Sequence, residues 1–198
     1  GPFFQFVLYI NNNPQLGTTQ LIDGFTAEQI ADSLLDAGLR SLEFHFSQWD
    51  SLRAHYLFLN NPGLNSFSGK EMPYNMQSRI GLCHLRIFQI TGDSFHFHRA
   101  EKLAYYLEDA LEIDTLANTI SWIYAENHNA EDLSHATLNF EFISACTEAG
   151  ILSRRYIELI TYTMATQNYR GPGNFSDRID GGGNTGNYIH RTIRWLPV

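Results

Sequence analysis

Two stretches of this chain carry the same helical pattern at an offset of 57 or 58 residues. The first runs from Pro73 to about Ile90, breaks at Thr91-Gly92-Asp93 and resumes. The second runs from Glu131, breaks at Glu148-Ala149-Gly150 and resumes at Arg154. Pro in a first turn and Gly just past a last one are the usual punctuation of helix ends. Repeated antiparallel helix pairs of this period build solenoids and rings, because each pair buries its apolar face only against the next. In this register Asn75 falls opposite Asp132 and Ser78 opposite His135, so polar residues occupy equivalent N-terminal ends of two inner helices.

The remaining segments fit an all-α chain of antiparallel helical hairpins. Residues 1–24 read as an N-terminal arm, extended or irregular, ahead of a single helical domain over 25–198. Thr26 followed by Gln29 has the pattern of a capping box for a helix ending near Gly38. An apolar-periodic segment runs from Leu42 to Leu59, and helices are expected over about 95–111, 113–124 and 154–167. No strand-like alternation stands out. After Asn168 the composition changes: Gly171, Pro172, Gly173, Gly181, Gly182, Gly183 and Gly186 mark a long Gly-rich loop over 171–187, read as a mobile flap over a cleft. A last short turn ends at Trp195.

Composition removes several classes of function. The formal net charge is −8 with 13 scattered Lys and Arg, which argues against a nucleic-acid or anionic-membrane partner. No apolar run reaches the roughly 20 residues that span a bilayer, and no signal-peptide pattern is visible. The leading Gly1-Pro2 reads as the remnant of a cleaved tag. Two cysteines, Cys83 and Cys146, sit among apolar neighbours and read as small core side chains, with no disulfide framework or cysteine zinc site.

Chemistry concentrates between Glu131 and Asn139. On a helix Glu131, Ser134, His135, Leu138 and Asn139 share one side, and with the neighbouring Asp132 two carboxylates, an imidazole and an amide crowd the start of an otherwise apolar segment. Such a stripe is wet or lines a site. His96 and His98 point apart on a helix with no third ligand, so no metal is expected there and they read as surface histidines. The Gly181-Gly182-Gly183 run lacks the Lys-Ser/Thr ending of a phosphate loop. No cofactor is implied.

The pattern Pro73-Tyr74-Asn75, Gly81, Thr91-Gly92-Asp93 with Ala100 and Leu103-Ala104, then Trp122 and Tyr124, then Glu131-Asp132-Leu133-Ser134-His135-Ala136, resembles the (α/α) toroid proteins that act on uronic-acid polysaccharides. These are the alginate-lyase-like and glucuronyl C5-epimerase-like six-hairpin group. The similarity covers about residues 70–196, with Gly181-Gly182-Gly183 and Trp195 matching that group's Gly-rich loop and terminal Trp. A chain of this length would form an incomplete toroid.

The resemblance implies a secreted or periplasmic carbohydrate-active enzyme on an acidic polysaccharide, working by β-elimination or C5-epimerisation. Elimination needs a group that neutralises the uronate carboxylate, a base for the C5 proton and an acid for the leaving oxygen. His135 is the expected base, Tyr124 the acid and Asn75 the neutralising amide. Tyr74, Arg79, Trp122, Asn127, His128, Glu131, Asp132, Asn139 and Asp180 are the expected ligand contacts, with Asn127-His128 a competing pair for His135. Two further readings stay open: a glycoside hydrolase pairing Asp132 with Asp180, and a non-catalytic glycan-binding or protein-interaction module.

Overall fold

The computed structural model describes residues 2–61, 63, 67–125, 128–183 and 185–186. It overturns the all-α expectation. Among the described residues six α-helices alternate with four two-stranded antiparallel ladders, so the fold is mixed and is not an all-α toroid. The helices are α1 (Pro2–Asn12), α2 (Ala27–Phe44), α3 (Tyr74–Thr91), α4 (Ser94–Glu108), α5 (Leu133–Glu148) and α6 (Arg155–Thr163), the last continued by a π-turn over Met164–Asn168.

The ladders pair β1 (Gln20–Ile22) with β2 (Phe25–Thr26), β3 (Trp49–Asp50) with β4 (His55–Tyr56), β5 (Glu112–Asp114) with β6 (Thr119–Ser121), and β7 (Phe175–Ser176) with β8 (Thr185–Gly186). The first three turn at an aspartate. Asp23-Gly24, both at positive φ, form the two-residue loop that suits a hairpin's twist. Asp50 Oδ1 accepts from the amides of Leu52 and Arg53, and Asp114 Oδ1 from those of Leu116 and Ala117. These side chains replace the helical bonds that the apolar period over 42–59 and 113–124 leads one to expect.

The helix pairs sit where the repeat puts them, with different partners. Thr26 and Gln29 form both bonds of the capping box on α2, and Gly92, left-handed at φ 73°, ends α3. α4 returns antiparallel along α3, with Phe88 packed on Phe97 and His84 on His96. α3 and α5 run parallel: Ser78 meets Asn139, Arg79 meets Glu141, and Gly81 receives Phe142. α6, by contrast, leans on β6, where Thr163 Oγ1 accepts from the amide of Ile120 at 2.8 Å.

The core forms around Leu85, Ile87, Leu103, Trp122, Phe142 and Ile143. The N-terminal run is a helix and not an extended arm; Val7 and Ile10 of α1 pack with Ala27 and Ala31 of α2 in a separate small cluster. His96, expected at the surface, is buried: its Nδ1 lies 2.8 Å from Nδ1 of His84, whose Nε2 lies 2.9 Å from the Tyr56 hydroxyl. Burial, then the neighbouring His96 and Arg99, push the His84 imidazole down to about 3. No described helix is long and apolar enough to cross a membrane.

Candidate functional site

The parallel run of α3 and α5 brings their N-terminal ends to one end of the molecule, and residues 122–125 and 128–130 run beside them. The Tyr74 amide donates to the Tyr124 carbonyl at 3.3 Å, and the Tyr124 amide to the Asn129 carbonyl at 3.0 Å. Tyr124 therefore stands between the two helix starts. Its ring lies 5.2 Å from that of His135 and 5.7 Å from that of His128, centroid to centroid.

The helix over 131–149 begins two residues later than the sequence pattern suggests, because Asp132 caps it. Asp132 holds an extended backbone and its Oδ1 accepts from the amides of Ser134 and His135 at 2.9 and 3.1 Å. Its Oδ2 is in contact with His135 Nδ1. Burial alone would raise the Asp132 carboxyl, but bonds from Ser134 and His135 outweigh it, and the net shift is downward. A carboxylate on Nδ1 keeps the proton there and leaves Nε2 as the basic nitrogen. With 46% of its side chain exposed, His135 can meet a ligand. The Tyr124 hydroxyl is held protonated by burial and by the charges of Glu131 and Asp132.

Glu131 falls outside the helix, so the expected polar stripe splits. Glu131 and Asn139 have no exposed surface and Trp122 is 1% exposed, whereas His135 faces outward. Glu131 Oε2 accepts from Trp122 Nε1 and Asn139 Nδ2, and Asn139 Oδ1 accepts from Ser78 Oγ at 2.6 Å. Burial pushes the Glu131 carboxyl up to about 8, against the pull of Trp122 and with the help of Asp132. As placed, these three residues tie the interior together and do not offer a surface to a sugar. The Trp122 ring sits edge-on to Phe140 in the core.

The other expected contacts are dispersed. Asn75 is buried in the first turn of α3, with its Oδ1 lacking a hydrogen-bond partner. Arg79 is bound to Glu141 at 2.6 Å. His128 is exposed beside Tyr124, and Asn127 lies outside the described residues, as does Trp195. Asp180 pairs with Arg178 at 3.2 Å and faces a groove of about 330 Å³ shared with Glu112, Asp114 and Gln167. Three carboxylates make that groove a poor receiver of a polyanion.

The Gly-rich loop is stitched to the site in its described part and is not a free flap. The Leu133 amide donates to Asp177 O and the Ile179 amide to Glu131 O, while Asn168 Nδ2 donates to Ser176 Oγ and Arg178 O at 2.7 Å each. Among the described residues no three of His, Cys, Asp or Glu gather so as to hold a metal ion.

One group escaped sequence reasoning. Glu71, Tyr106, His55 and Arg53 come from three separate parts of the chain and meet beside Tyr74. No local spacing announces a cluster assembled this way.

No protein-family model, curated protein or solved structure matches the chain significantly.

Proposed function

We propose that this protein acts on a uronate-containing polysaccharide by abstracting the C5 proton, leading to β-elimination or epimerisation. The observation that carries the reading is the triplet Asp132–His135–Tyr124: an outward-facing imidazole, oriented on one nitrogen by a carboxylate, with a protonated phenol packed against it. That is an acid and a base side by side, the pair that elimination requires. His135 Nε2 takes the proton and Tyr124 delivers one to the leaving oxygen. The resemblance of residues 70–196 to the uronate-active group supplies the substrate class.

The test is a panel of uronate polymers, followed by the ultraviolet absorbance of the unsaturated product and by deuterium uptake at C5 in heavy water. Absorbance or uptake that His135→Ala abolishes and His128→Ala preserves supports the assignment. Binding without either signal makes the protein a glycan-binding module. Release of reducing ends without absorbance makes it a hydrolase.

A further inference from the structure

Tyr74 touches two polar clusters at once. Its amide is bonded to the carbonyl of Tyr124, whose ring packs on His135, while its own ring lies 5.2 Å from that of Tyr106, tilted by 34°. Beyond Tyr106 lies Glu71. We propose that Glu71, Tyr106 and Arg53, backed by His55, form a second binding station for the same polymer, taking the hydroxyls and carboxylate of a flanking sugar unit. This inference rests on the uronate reading above.

The station is built with care by distant parts of the chain. Gln77 of α3 clamps β4 from inside: its Oε1 accepts from the Tyr56 amide at 2.9 Å and its Nε2 donates to the carbonyls of Tyr56 and Met72 at 2.8 and 3.2 Å. That amide fixes His55, the neighbour of Tyr56, below Glu71. A backbone bridge between Leu57 and Glu71 fixes the carboxylate from the other side. Tyr106 reaches it from α4, and Arg53 from the turn between β3 and β4.

The contacts inside the station are loose. Glu71 Oε2 accepts from the Tyr106 hydroxyl at 3.2 Å, Oε1 from Arg53 Nη1 at 3.4 Å, and His55 Nε2 stands 3.3 Å from Oε1. Charged hydrogen bonds ordinarily close to about 2.7–2.9 Å. His55 is 1% exposed, and neither ring nitrogen has a hydrogen-bond partner. Buried nitrogens of this kind almost always find a partner; the one His55 Nε2 faces is Glu71 Oε1, whose side chain is 30% exposed and so stays within reach of a ligand that the sealed imidazole itself cannot touch.

The available chemistry fits a hydroxylated, acidic ligand. An ionised carboxylate has about four lone-pair sites, so Glu71 retains capacity for sugar hydroxyls. Arg53 is 68% exposed and keeps most of its donor fork for a carboxylate. The Tyr74 and Tyr106 rings give an amphipathic surface on which a sugar face can lie. Burial, then Tyr74 and Glu71, raise the Tyr106 phenol strongly, so it stays a donor.

The experiment measures kcat and KM on uronate oligosaccharides of increasing length for the wild type, Glu71→Gln and Arg53→Ala. Binding is titrated in parallel with each change placed on a His135→Ala background. Both changes are expected to raise KM and Kd by roughly tenfold on the longer oligomers, with the loss in KM and not in kcat. Equal affinity at every length in both variants overturns the station. A wild type that ignores every uronate oligomer, and every neutral one as well, overturns the substrate class and this proposal with it. The same titration with neutral oligosaccharides separates the two failures: affinity for a neutral polymer that Glu71→Gln removes keeps the station and rejects only the acidic sugar.

Discussion

Asp132 serves two purposes with one carboxylate, and two substitutions pull them apart. Asn is as good a cap as Asp, so Asp132→Asn should leave the melting temperature nearly unchanged while removing the charge that orients His135. Asp132→Ala should cost about 1 kcal/mol of stability as well. Thermal melts alongside turnover of both variants check this. If Asn fully preserves turnover, the carboxylate does not set the imidazole. Glu131, one residue earlier, makes a different prediction. Its folded value of about 8 lies above the ordinary 4.5, so the folded chain holds the proton more tightly. Its contribution to stability is therefore complete below pH 4.5, falls as pH rises toward 8 and is level above, a change on the order of a few kcal/mol. Glu131→Gln should flatten that slope, as read from denaturant midpoints between pH 5 and 9. The adjacency of the two acids and His135 was plain in the sequence. That one acid would be sealed and the other would cap was not, because a helix start shifted by two residues reassigns every side chain ahead of it.

At the level of elements, the contact between α3 and α5 turns on Gly81. A Cβ there would lie 2.5 Å from Cζ of Phe142, a ring with no exposed surface. Gly81→Ala should destabilise the protein by about 1–3 kcal/mol through overpacking, and Phe142→Leu should recover part of that loss in the double variant. Calorimetry of the four proteins tests it; simple additivity would mean that the helices do not meet there. Elements with local punctuation were legible: the Thr26 capping box, the Gly92 stop, and the helices from Tyr74 and Ser94. The hairpins were not. Ile113 and Ile120 are cross-strand partners in β5–β6, yet strands of three residues leave too few positions for a period of two to outweigh one of 3.6. The better signal was the aspartate heading each turn, Asp50 and Asp114, which offers the backbone bonds a helix would have provided.

Across the whole molecule, the first half of the repeat holds as the antiparallel pair α3–α4, whereas in the second half α6 leaves α5 for β6. The ladders β3–β4 and β5–β6 stand where helical periods were read over 42–59 and 113–124, and α6 rests on β6, a partner no internal repeat could indicate. The site inherits this: Tyr124, expected at the end of a helix, arrives instead on the irregular segment behind β6. The two apolar nuclei carry a last consequence. Val7, Ile10, Ala27 and Ala31 form a minor nucleus, joined to the major one through partly buried Leu35 and Ile90. Order should therefore dissolve in two stages on warming, with amides of α1 and α2 trading deuterium well before those of α3 and α5. A single shared exchange rate would mean that the molecule melts as one body; two rates would give it a detachable front that can loosen while the acid–base end keeps its shape.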